Sequence, residues 1–103
     1  DIKSNSSALA SLPISDLKNS DSLIILKFIN PTWIQIRNNQ MDIIISKLMS
    51  AGDEYSYYVN NDYSLTAGNA GNIIVAIDGI IKGKVGKSGE VIDALIIDNK
   101  FSN

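Results

Sequence analysis

From Leu23 to Asp98, short apolar stretches alternate with turn residues every eight to twelve positions, and no helical period is sustained. That pattern belongs to a small all-β domain. Seven strands are expected. Leu23 to Ile29 is apolar on both faces except at Lys27, so it belongs in the centre of a sheet or between layers. Asn30-Pro31 ends it, because proline cannot donate to a ladder. Thr32 to Arg37 alternates, with Ile34 and Ile36 on one side and Trp33, Gln35 and Arg37 on the other. Asn38-Asn39 turns the chain into Asp42 to Leu48, rich in β-branched isoleucine. Ala51-Gly52-Asp53 leads into Glu54 to Val59, which carries Tyr55, Tyr57 and Tyr58, and Asn60-Asn61-Asp62 leads into Tyr63 to Ala67. A loop with two glycines, Gly68 to Gly71, precedes Asn72 to Ile77, and Asp78-Gly79 is the strongest hairpin signal in the chain. Ile80 and Ile81 start a short return arm, and Gly83 to Gly89 reads as mobile. Glu90 to Ile97, alternating at Val91, Asp93, Leu95 and Ile97, is the seventh strand, followed by a fraying end.

Residues 1–22 carry seven Ser and two Asn around one Pro and hold no apolar period, so they read as a disordered, flexible tail or linker. The expected architecture is therefore a tail over 1–22, an antiparallel β-sandwich or open barrel of about seven strands over 23–98, and a C-terminal tail over 99–103. The chain opens on Asp1, which suggests an excised fragment or a processed product. Its longest apolar runs, Leu23 to Leu26 and Ile73 to Ile77, fall far short of the roughly 20 residues of a membrane span.

Composition narrows the chemistry. The chain has no Cys and no His, so disulfides, thiolate or imidazole metal sites and any nucleophilic mechanism with a histidine base are excluded. A net charge of −2 lacks the basic footprint needed to hold a phosphate backbone, so no nucleic acid is expected as partner. Gly86-Lys87-Ser88 resembles the end of a phosphate loop, but Ile81 stands where that motif needs glycine and a strand follows where it needs a helix. Asp53 and Glu54 are adjacent on a strand and point to opposite faces, which a carboxylate dyad cannot use. Asn60-Asn61-Asp62 lacks the alternating ligands of a calcium loop. No catalytic, metal or cofactor site is expected.

The Trp33, Gln35 and Arg37 face is the stronger candidate. It sets the only Trp beside the only Arg on the side of the strand opposite the isoleucines. Such a pair suits a contact hot spot, where a large aromatic is desolvated and Arg supplies planar hydrogen bonds. The competing reading is that Trp33 covers the open end of a small barrel or a second core, with Arg37 stacked on it. Tyr55, Tyr57 and Tyr58 form a second candidate surface, either core edge or partner platform.

The order of motifs carries a resemblance. Leu-Lys-Phe ends the first strand, followed by Pro-Thr-Trp-Ile-Gln-Ile-Arg-Asn and Ala-Gly-Asp-Glu, then by Leu-Thr-Ala-Gly-Asn-Ala-Gly and Ile-Asp-Gly. From Leu23 to Ile97 the chain resembles the extracytoplasmic C-terminal domain of RodZ, a bacterial cell-shape protein. The resemblance implies a cytoplasmic helix-turn-helix-like part that contacts the actin-like filament protein MreB. A single transmembrane helix and a linker would then lead to this periplasmic β-domain. It implies membrane proteins of the wall-synthesis machinery as outside partners, with weak self-association also open, and it supplies no catalytic residue. The resulting expectation is a non-enzymatic interaction domain supporting cell shape and cell-wall elongation, with a peptidoglycan-binding β-module as the alternative.

Overall fold

The computed structural model describes residues 22–103. The expected tail over 1–22 lies outside them, except for Ser22. Eight strands form: β1 (Leu23–Phe28), β2 (Thr32–Arg37), β3 (Ile43–Met49), β4 (Glu54–Tyr58), β5 (Ser64–Ala67), β6 (Ile73–Ile77), β7 (Ile80–Lys84) and β8 (Ile92–Ile96). They make two four-stranded sheets, ordered β4-β1-β6-β7 and β3-β2-β5-β8, with antiparallel pairing throughout. The all-β expectation holds.

Period-two alternation builds the core. Ile24, Leu26 and Phe28 of β1 and Ile73, Val75 and Ile77 of β6 face inward from one sheet. Ile34 and Ile36 of β2 and Leu65 and Ala67 of β5 meet them from the other. Strand β1 is central in its sheet, as its two apolar faces predict. At the edge strand β3, Lys47 holds the inward register position opposite Ile34 yet stays exposed. A charge so placed discourages further strands from adding to that edge.

Three segments differ from the sequence expectation. The return arm is a full strand: Asp78 and Gly79 take φ of 52° and 83°, the left-handed pair of a tight hairpin, so β7 pairs with β6 out to Lys84 opposite Ile74. The stretch beyond it, expected to be mobile, is tied down. Val85 N–H donates to the Ile73 carbonyl (2.9 Å), and Gly89 N–H to Asn69 Oδ1 (2.8 Å). Strand β8 carries a register shift opposite Leu65 and Ala67, with Ala94 at φ 57°. The extra residue changes the phase of the first half, so Ile92 turns inward with Leu95 and Ile97 while Val91 and Asp93 are exposed. Beyond Ile97, which is buried, Phe101 packs against the core, and Asn103 N–H donates to the Lys82 carbonyl (3.2 Å) along β7.

Gly71 is required sterically. A Cβ there would lie 2.5 Å from Ser88 Cα and 2.6 Å from its amide nitrogen, both backbone atoms. Gly71→Ala is expected to cost about 1–3 kcal/mol through overpacking. Thermal denaturation followed by circular dichroism should show a drop of roughly 4–8 °C per kcal/mol lost. An unchanged midpoint would mean that the β5–β6 loop and the Lys87–Glu90 turn are not packed together.

Candidate functional site

Burying Ile34 and Ile36 decides where their neighbours go. Trp33, Gln35 and Arg37 share the outer face of the β3-β2-β5-β8 sheet. Trp33 is 42% exposed and stands opposite Leu48 of β3, itself 63% exposed. Gln35 and Arg37 are half-buried. Gln35 lies between Ser46 and Thr66, and Arg37 between Ile43 and Ser64. Trp33 therefore does not plug the sandwich. Trp33 and Arg37 are separated by Gln35, roughly 13 Å along the strand, and share one outer face.

The tyrosines divide between faces. Tyr55 and Tyr57 point inward from β4 while Tyr58 points outward from the other sheet, 50% exposed. Tyr57 belongs to the core, 5% exposed, with its ring 6.1 Å from Tyr55 and 5.3 Å from Tyr63. The structure thus keeps Trp33, Gln35 and Arg37 together and places Tyr58 on the opposite side of the molecule. The two most exposed aromatic rings, Trp33 and Tyr58, share no face.

Residues missed from the sequence enlarge the Trp33 face. Leu48 was visible in principle, since a hydrophobic edge-strand residue opposite Trp33 needs only the β2–β3 register. Ile96 was too, since Leu95 and Ile97 share the inward face and plain alternation turns Ile96 outward, beside Ser64 in the β5–β8 register.

The carboxylates mostly stabilise turns. Asp78 Oδ1 accepts from Leu23 N–H (2.9 Å), Asp53 Oδ2 from Ser50 N–H (2.8 Å) and Glu90 Oε1 from Lys87 N–H (2.8 Å). The last contact occupies the Lys87 amide of the phosphate-loop look-alike with a carboxylate from its own turn. Among the described residues no group of three His, Cys, Asp or Glu could hold a metal. No helix of the described residues is long and apolar enough to cross a membrane.

One family comparison bears on the chain. The model of the RodZ C-terminal domain matches residues 26–93, about two thirds of its length. The chain belongs to that family. The match runs from β1 into β8 and so encloses the outer face of β2 and all three strand tyrosines. No curated protein and no solved structure matches this RodZ C-terminal domain.

The Tyr57 hydroxyl is buried with no hydrogen-bond partner among the described residues. Burial, and then the neighbouring Tyr55, push its ionisation well above the ordinary 10.0. Burial and then Tyr63 raise that of Tyr55. A folded-state pKa above the unfolded one gives stability that is complete below about pH 10 and is lost as pH climbs past it. Denaturant titrations should therefore show stability falling above pH 10 and falling less in Tyr57→Phe. At pH 7 that variant should be within about 1 kcal/mol of the parent or more stable, because it removes an unsatisfied polar group. A loss well beyond that would mean the hydroxyl has a partner.

Proposed function

We propose that this RodZ C-terminal domain is a non-enzymatic, periplasmic interaction module of a single-pass inner-membrane protein. In this reading it supports cell shape and cell-wall elongation. Its outside partners are membrane proteins of the wall-synthesis machinery, and the cytoplasmic part of the same protein meets MreB. The observation that carries the reading is the outer face of β2, where Trp33 is exposed although the strand's isoleucines are fully buried. An aromatic left in solvent beside Leu48, with Arg37 further along the same strand face, has the composition of a contact hot spot. The carboxylates spent on turns favour contact over hydrolysis.

In this reading the sandwich is a surface carried by a membrane-anchored protein. Linking it to the membrane makes capture of a partner in the same membrane effectively intramolecular, with an effective concentration of about millimolar for short flexible links. A modest affinity from a few anchors then suffices. A glycan platform would favour two or more coplanar exposed rings, and here Trp33 and Tyr58 lie on opposite sheets.

The test is a chemical-shift titration of the isotope-labelled chain with soluble extracytoplasmic domains of wall-synthesis membrane proteins and, separately, with peptidoglycan fragments. The protein domains should perturb β2 and β3, and Trp33→Ala should weaken binding at least about tenfold, an anchor-sized loss of roughly 1.4 kcal/mol or more. The same variant should melt within a few degrees of the parent, as exposed substitutions do. Perturbation by glycan fragments alone, or unfolding of Trp33→Ala, would overturn the reading.

A further inference from the structure

At one end of the β3-β2-β5-β8 sheet, Asn38 and Met41 of the β2–β3 turn, Asp62 and Ser64 at the start of β5, and Ala94 and Ile96 of β8 line a hollow of about 400 Å³. Sites for small organic groups span roughly 300–1,000 Å³, so the space accommodates a long side chain and part of its backbone. Met41 and Ile96 are exposed and give it apolar walls.

The backbone around the hollow is unusual. Met41, Asp62 and Ala94 have φ of 69°, 55° and 57°, so three of the four non-glycine left-handed residues among the described residues stand on its lining. For Met and Ala that conformation is disfavoured by the contact of Cβ with the following carbonyl. Such residues gather where a structure holds a ligand clamp.

Asp62 also differs from the other turn carboxylates. Those of Asp53, Asp78, Glu90 and Asp98 each accept a backbone N–H, that of Asp93 accepts from Thr66, and that of Asp42 from Asn38. Asp62 is exposed; its backbone N–H donates to the Val59 carbonyl (3.1 Å), and among the described residues no turn N–H holds its carboxylate or that of Glu54, a strand residue away from the hollow. A single carboxylate is a poor inorganic-cation site, since metals demand several ligands. Beside apolar walls it suits an organic cation on an alkyl stem, the stem shedding water against carbon while the head makes a charge-assisted hydrogen bond.

We propose that this hollow receives a lysine or arginine side chain of the protein that covers the Trp33 face, its stem on Met41 and Ile96 and its cationic head on Asp62. The Ser64 hydroxyl, on the same lining, adds an acceptor. The identity of the protein presenting the side chain rests on the function proposed above; the chemistry of the hollow does not.

The experiment is a chemical-shift titration of the 103-residue chain with N-acetyl-lysine N-methylamide and with its norleucine analogue, which keeps the stem and lacks the charge. The lysine compound should give saturable shifts at Met41, Ser64, Ala94 and Ile96. The norleucine analogue should bind about two- to fivefold more weakly, and Asp62→Asn should reduce affinity for the lysine compound by a similar factor. Asparagine tolerates the left-handed backbone, so that variant keeps the turn. Equal binding of both compounds, unchanged affinity in Asp62→Asn, or no shifts with either would overturn the proposal. Displaced Met41 and Ile96 resonances in Lys3→Gln or Lys18→Gln before any addition would also do so, because the chain's own lysine would be the occupant. The small probe needs no partner, so its failure leaves the Trp33 contact standing, and failure of that contact leaves the probe result standing.

Discussion

Burial of Ile34 and Ile36 against β1 and β6 sets the outer surface of the molecule as well as its core. A pleated strand sends successive side chains to opposite faces, so fixing two isoleucines in the core sends Trp33, Gln35 and Arg37 outward. Slipping the strand by one residue would expose both isoleucines and bury a charged guanidinium, a heavy penalty on both counts. The exposed aromatic is therefore held in place by the core itself, and β2 lies between β3 and β5, so its backbone is paired on both sides. Rigidity and exposure come from the same constraint.

Around that strand the loops are fastened by short polar side chains. Asn69 accepts the N–H groups of Gly71 and Gly89, joining the β5–β6 loop to the β7–β8 connection. Asp78 ties the β6–β7 hairpin to the start of β1. Asp62 is exposed on the lining of the hollow. Among the described residues, the outer face of the β3-β2-β5-β8 sheet thus carries an exposed Trp33 beside Leu48, and the hollow with Asp62 on its lining lies at the end of that sheet.

Much of the fold could be read from local pattern. Asp78-Gly79, Asn38-Asn39 and the alternation in β2 each depend on chemistry within a few residues, and the structure places strands and turns there. What the sequence hid depends on partners far along the chain. Lys82 to Lys84 becomes strand because β6 offers a ladder, and Val85 to Gly89 is fastened by groups near Asn69 and Ile73. The phase of the first half of β8 turns on one irregularity at Ala94, which no alternation rule foresees. For the candidate site, Trp33, Gln35 and Arg37 were legible because they share a strand. Tyr57 and Tyr58 were grouped by adjacency, although adjacent strand residues face opposite ways.

Trp33 is the chain's only tryptophan, so its fluorescence reports the outer face of β2 alone. The decisive measurement is the emission maximum and acrylamide quenching of the native chain, free and with a wall-synthesis partner domain bound. The free protein should show a solvent-like, readily quenched emission that shifts to shorter wavelength and becomes protected on binding. Emission already short and shielded in the free protein, or unchanged in the complex, would contradict a contact made through this face.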